Sequence, residues 1–148
     1  VGDDSRLGPF VADDSFLRRI DRKNRIRDGG LVTWEAFKPR EDESALSFTY
    51  QDHSLKTDEG LRRYQTVKML PSGDLPGACK LTFHDLTQSL APPLPPRQEV
   101  DDGDPDYGHL HCVTDPPQSD IHMEQMAKLA TRNGLVLPFV PKKKRRDQ

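Results

Sequence analysis

Long apolar runs are missing from this sequence. No stretch approaches the roughly 20 apolar residues that a membrane helix needs, so no membrane partner is expected. Cysteine is scarce: Cys79 and Cys112 are the only two in 148 residues. A secreted disulfide scaffold carries more, so a reducing cytoplasm with both thiols free is the expected setting. Apolar residues are few, at 33%, against 31% charged, which predicts a modest core with long polar connections. Net charge is only -2, so nothing in the bulk draws the chain toward nucleic acid or anionic lipid. Residues 1–14 hold four aspartates and no apolar h-region, which does not fit a signal peptide; with no initiator Met, the start reads as a processed, trimmed or tagged end.

Catalytic signatures are scarce as well. There is no G-x-S-x-G, no nucleotide-binding glycine loop, and no internal repeat. The acidic stretch Glu99, Asp101, Asp102, Asp104, Asp106 does not place its glycine and terminal glutamate as a calcium loop requires. It reads as a solvated linker, or as a partner for the basic segment 18–27.

What is present is a set of short patterned segments. Ser15 is placed to cap an element through Phe16, Leu17 and Ile20. Asp28-Gly29-Gly30 signals a turn, and Thr33 precedes a short helical stretch that Pro39 ends. Leu46, Phe48 and Tyr50 alternate with polar residues, which predicts a strand with one buried face. Thr57, with Asp58 and Glu59 behind it, opens a helix through Leu61 and Tyr64. Residues 66–70 read as a strand, and 78–83 as another with Cys79, Leu81 and Phe83 on its apolar face. Residues 90–106 read as an extended proline-rich and acidic connection. A strand is expected over 107–113. Ser119 then caps the best helix, where Met123, Met126, Ala127 and Ala130 form one apolar stripe before the Asn133-Gly134 stop.

These elements predict an α+β domain: a small antiparallel or mixed sheet with a C-terminal helix packed on it. The expected layout is a loose lead-in over 1–14, a single domain over 15–140 with the connection at 90–106, and a basic tail over 141–148.

The order of local features, Leu17-Arg18-Arg19-Ile20, then Ala36-Phe37, then Ser47, then His109 ahead of a terminal helix, resembles a loose set of short, uncharacterised bacterial proteins. Those carry an RRI…AF…S…P-x-H-A-x-V progression. Here the histidine lies in Tyr107-Gly108-His109-Leu110-His111, which departs from that proline-then-alanine setting. The resemblance implies bacterial origin and a compact domain, and no activity.

Three constellations could carry chemistry. On a regular strand His109 and His111 would share a face and offer two nitrogens to zinc or another divalent transition metal. His84 is the candidate third ligand, with Asp106, Asp85 and Cys112 as polar partners, although Cys112 should face opposite to His111. The plainer reading is one half-buried and one exposed histidine, with no cofactor. The adjacent His84 and Asp85 would point apart on a strand and so form no dyad. The basic residues Arg18, Arg19, Arg22, Lys23 and Arg25, and the tail Lys142, Lys143, Lys144, Arg145 and Arg146, could meet nucleic acid or an acidic partner. No aromatics interleave with them to stack bases. The reading is therefore a non-catalytic binding or accessory domain of a bacterial cytoplasmic system, engaging a protein or nucleic-acid partner. The alternative is a small metal-assisted hydrolase or nuclease-like effector centred on His109 and His111.

Overall fold

The computed structural model describes residues 9–22, 25–27, 30–41, 43–99 and 108–142. The element that Ser15 begins is a strand, β1 (Ser15–Ile20). A two-residue hairpin follows, β2 (Ile26–Arg27) with β3 (Leu31–Val32), and Gly30 at φ 82 supplies its left-handed turn position. A 3-10 turn (Trp34–Phe37) precedes β4 (Leu46–Tyr50), and a second (His53–Lys56) precedes α1 (Asp58–Val67). Then come β5 (Gly77–Thr82), α2 (Phe83–Gln88), β6 (Arg97–Gln98), β7 (His111–Thr114) and α3 (Asp120–Asn133).

The main sheet has the order β5-β1-β4-β7-β6, and all its pairings are antiparallel. The fold is α+β, with α3 on the sheet. Beyond β5, Leu75 and Ala78 bridge Val140 and Leu137, so the returning chain covers that edge. The connection over 90–106 does more than link. Leu90 and Leu94 are buried in the core, and β6 pairs with β7.

Register sorts the side chains. Phe16, Arg18 and Ile20 share one face with Phe48, Leu46, Cys79, Leu81 and Cys112. The α3 stripe of Met123, Met126, Ala127 and Ala130 packs there with Phe37 and Leu86 to form the larger core. Ser119 caps α3 by accepting from the His122 backbone, and Gly134 ends it at φ 86. Leu17, Arg19, Ser47, Thr49, Ala78 and His111 lie on the other face. Helix α1 covers part of it, with Leu17, Leu55, Tyr64, Ala78 and Leu137 as a second, smaller core.

Three local expectations are corrected. Residues 66–70 are not a strand: the Thr57 cap starts a helix that runs through Val67, and Lys68 closes it. Phe83 does not continue β5, because the Thr82 hydroxyl and the Asp85 carboxylate form a capping box and turn the chain into α2. Strand β7 begins at His111, so the alternation expected from residue 107 does not reach His109.

Candidate functional site

Arg18 and Arg19 are neighbours on β1 and point to opposite faces. Arg18 is fully buried, and every N–H of its guanidinium is used. Nε donates to the Ala36 carbonyl at 2.9 Å; Nη1 donates to Glu43 and the Ser47 carbonyl; Nη2 donates to Glu43 and the Lys38 carbonyl. Burial pushes the Arg18 guanidinium down from its usual range, and Glu43 works against that shift. Burial also works to raise Glu43, but the hydrogen bonds and charge of Arg18, with help from Arg40, outweigh it and lower its carboxyl to about 2. Arg40 binds Glu43 and Asp21, and Asp21 also binds Arg25.

On the other face a cavity of about 240 Å³ opens beside α1. Its floor comes from Arg19 of β1, Ser47 and Thr49 of β4, and His111 of β7. Its walls come from Tyr64 of α1, from Lys68 at the end of that helix, and from Arg40 and Glu43 ahead of β4. The Thr49 and Tyr64 hydroxyls are 2.9 Å apart and hydrogen-bonded, and the Lys68 ammonium lies 5.7 Å from the Tyr64 ring centre. Among the described residues, Arg19, Arg40, Lys68 and the Glu43 carboxylate line the cavity, and Glu43 is held by Arg18 and Arg40. Two buried nitrogens there, Arg19 Nε and His111 Nδ1, are hydrogen-bonded to no protein atom. Buried polar atoms in folded proteins usually have a partner. An arginine with such an unpartnered donor in the wall of a cavity is suited to hold an anion.

The residues singled out for metal binding do not converge. His111 lies in this cavity. His109 sits ahead of β7, and its Nδ1–H donates to Asp52 at 2.9 Å. His84 is exposed on α2, which follows β5 at the opposite side of the sheet from β7. Asp85 is committed to capping α2 and to Arg132 and Asn133. Cys112 is buried on the α3 face, opposite to His111, and neither it nor Cys79 forms a disulfide. Asp106 lies outside the described residues. Among the described residues, no group of three His, Cys, Asp or Glu side chains could hold a metal ion.

Asp52 and His109 make a smaller arrangement of their own. The Ser54 hydroxyl and the Leu55 backbone also donate to Asp52, at 2.7 and 3.1 Å. Burial works to raise the Asp52 carboxyl, but these bonds, that from His109 foremost, outweigh it and hold it below its ordinary range. A carboxylate that fixes an imidazole is the base-and-orienter half of a catalytic triad. The Ser54 hydroxyl proton goes to Asp52, however, so Ser54 is not placed as the nucleophile. His109 stacks edge-on against Tyr64, which joins this pair to the wall of the cationic cavity.

The basic segments divide similarly. Arg18 is a core residue and Arg25 is buried against Asp21, so neither guanidinium is on the surface; Arg22 is exposed. Lys142 is exposed, and its backbone N–H bonds Asp74. Lys23, Lys143, Lys144, Arg145 and Arg146 lie outside the described residues.

From sequence, Arg19 and His111 were candidates for two different roles, and Arg40, Glu43, Tyr64 and Lys68 were not candidates at all. Reading 15–20 as a strand would have separated Arg18 from Arg19; no local signal marks the other four. No helix among the described residues is long and apolar enough to cross a membrane. No family model matches the chain, and no curated protein or solved structure matches it either.

Proposed function

We propose that this is a non-catalytic binding domain that engages a protein or nucleic-acid partner by seating one anionic group of that partner on the open face of the sheet. The observation that carries the reading is the pair of buried nitrogens without a protein partner, Arg19 Nε and His111 Nδ1, on two residues that line one cavity with Arg40 and Lys68. A single concave seat suits one anionic group better than a run of backbone phosphates, which needs a track of cations. The unbridged Cys79 and Cys112 support a reducing, cytoplasmic setting.

Titrating the full chain with sulfate, inorganic phosphate and succinate, one at a time, while recording amide resonances tests the reading. At least one anion is expected to shift the Arg19, Thr49 and His111 amides saturably. If none does, the reading fails.

The hydrolase alternative keeps one support, the Asp52–His109 pair, which needs no metal to orient a base. It predicts turnover of an activated ester or phosphate ester that is lost in His109→Gln. Equal rates in the two proteins would end it.

A further inference from the structure

We propose that a second cavity, beside His109 and separate from the anion seat, is a binding site for a phenolic hydroxyl.

A fixed acceptor is the first ground. The His109 and Asp52 side chains are only 20% and 26% exposed. Among the described residues His109 makes one hydrogen bond, from Nδ1 to Asp52. Burial works to raise the Asp52 carboxyl, but the bonds from His109, Ser54 and Leu55 outweigh it and keep it ionised. An ionised carboxylate only accepts, so Nδ1 carries the proton and the neutral ring keeps its lone pair on Nε2. The ring is steadied from a second direction by Tyr64, edge-on with its centre 5.8 Å away, and the Tyr64 hydroxyl is bonded to Thr49. Nε2 is therefore an acceptor of set direction, and what it selects is a ligand that donates.

The shape beside it is the second ground. Gly60, Arg63, Tyr64 and Val67 recur at the three- and four-residue steps of one face of α1. With Ser54 and His109 they line a cavity of about 230 Å³. Val67 is an apolar side chain left 44% exposed on this wall, and an apolar body would cover it. Arg63 is exposed and pairs with Glu59 at 3.5 Å, and its guanidinium can lie over an aromatic face. At roughly 30 Å³ for each water, the volume equals about seven or eight waters, close to the seven non-hydrogen atoms of a phenol. A phenol also donates more strongly to an imidazole than an aliphatic alcohol does, because its proton is more acidic.

Amide spectra of the full chain, titrated with p-cresol and with its methyl ether, test the inference. The ether has the same body with the donor capped. p-Cresol is expected to shift the Gly60, Arg63, Val67 and His109 amides saturably. The ether should need about fivefold more, the net worth of one neutral hydrogen bond. Asp52→Asn should turn the acceptor around. Ser54 and Leu55 both donate to Oδ1, so the Asn oxygen stays there and its amide nitrogen replaces Oδ2 against His109. The imidazole then accepts at Nδ1 and carries its proton on Nε2. Imidazole nitrogen resonances should report that reversal, and the preference for p-cresol should vanish. His109→Phe, which keeps a ring beside Tyr64, should lose the preference as well. The dispersion of each spectrum reports folding, and whichever variant folds decides. N-acetyltyrosinamide binding more tightly than p-cresol would point to a tyrosine of a protein partner, and more weakly to a free phenol; both support the site. Equal binding of p-cresol and its ether by the wild type, a preference that survives His109→Phe, or no saturable shift with p-cresol would overturn the inference. Each of these would leave the anion seat standing, because that seat is followed at Arg19 and His111 with other ligands.

Discussion

On the face of the sheet beneath α3, Arg18 is enclosed and each of its donors has an acceptor. One residue further along the same strand, Arg19 reaches the other face and keeps a buried Nε that no protein atom accepts. The difference follows from what covers each face. Helix α3 has 14 residues and, with the 3-10 turn at Trp34–Phe37 and the Leu90 and Leu94 connection, closes its side. Helix α1 has 10 and seals only the part around Leu17, Leu55 and Leu137. A cation buried under the first cover must be fully paired, because an unpaired charge there costs several kcal/mol. Under the second cover the strands carry on past the helix, and their polar side chains line an open cavity.

Breaking the closed face should have the largest effect. Glu43→Gln keeps the shape of the side chain but leaves Arg18 charged with no counterion. It is expected to lower stability by about 3–5 kcal/mol in urea denaturation. Adding Arg18→Met to that variant removes the stranded charge, and the double variant should recover part of the loss. Continued decline would mean that Arg18 matters mainly through its bonds to the Ala36, Lys38 and Ser47 carbonyls. Met126→Ala, in the fully buried centre of the α3 stripe, is expected to cost about 2–4 kcal/mol by the same measurement.

The same ion pair sets an acid limit. Glu43 is depressed to about 2 in the folded protein, against 4.5 for an unperturbed glutamate. Its contribution is therefore complete above the unfolded value and is lost as pH falls from about 4.5 toward 2. Thermal unfolding followed across that range should show Tm falling in the wild type. Glu43→Gln, which has no such proton to take up, should lose less over the same interval.

These two regions were unequally visible in the sequence. Helix α3 was legible because its apolar stripe and its Ser119 and Gly134 ends agree with one another, and β4 because Leu46, Phe48 and Tyr50 alternate. Strand β1 was hidden by Arg18, a charged residue at an inward position, which breaks the period of two that would have revealed it. Residues 66–70 look like a strand by composition, but the Thr57 cap and the fit of Tyr64 and Gln65 against the sheet and the returning chain carry the helix through them. At the site, His111 was legible as a polar residue on a strand. Its neighbours were not: Arg19, Glu43 and Tyr64 approach it through strand order, which spacing along the chain does not encode. His109 looked like its partner by alternation alone and is instead bound to Asp52.

The smallest expected effect sharpens the comparison most. Arg19→Met removes the counterpart of Arg18 on the open face. Its Nε has no protein acceptor to lose, and the Met stem can lie along the same wall. Stability should stay within about 0.5 kcal/mol of wild type, as for substitutions away from paired networks. A loss on the scale of Glu43→Gln would mean that Arg19 is as structural as Arg18, and that the two faces do not differ in kind. Unchanged stability together with lost anion binding would separate them, since β1 would then use one arginine to hold the fold and the next to hold a ligand.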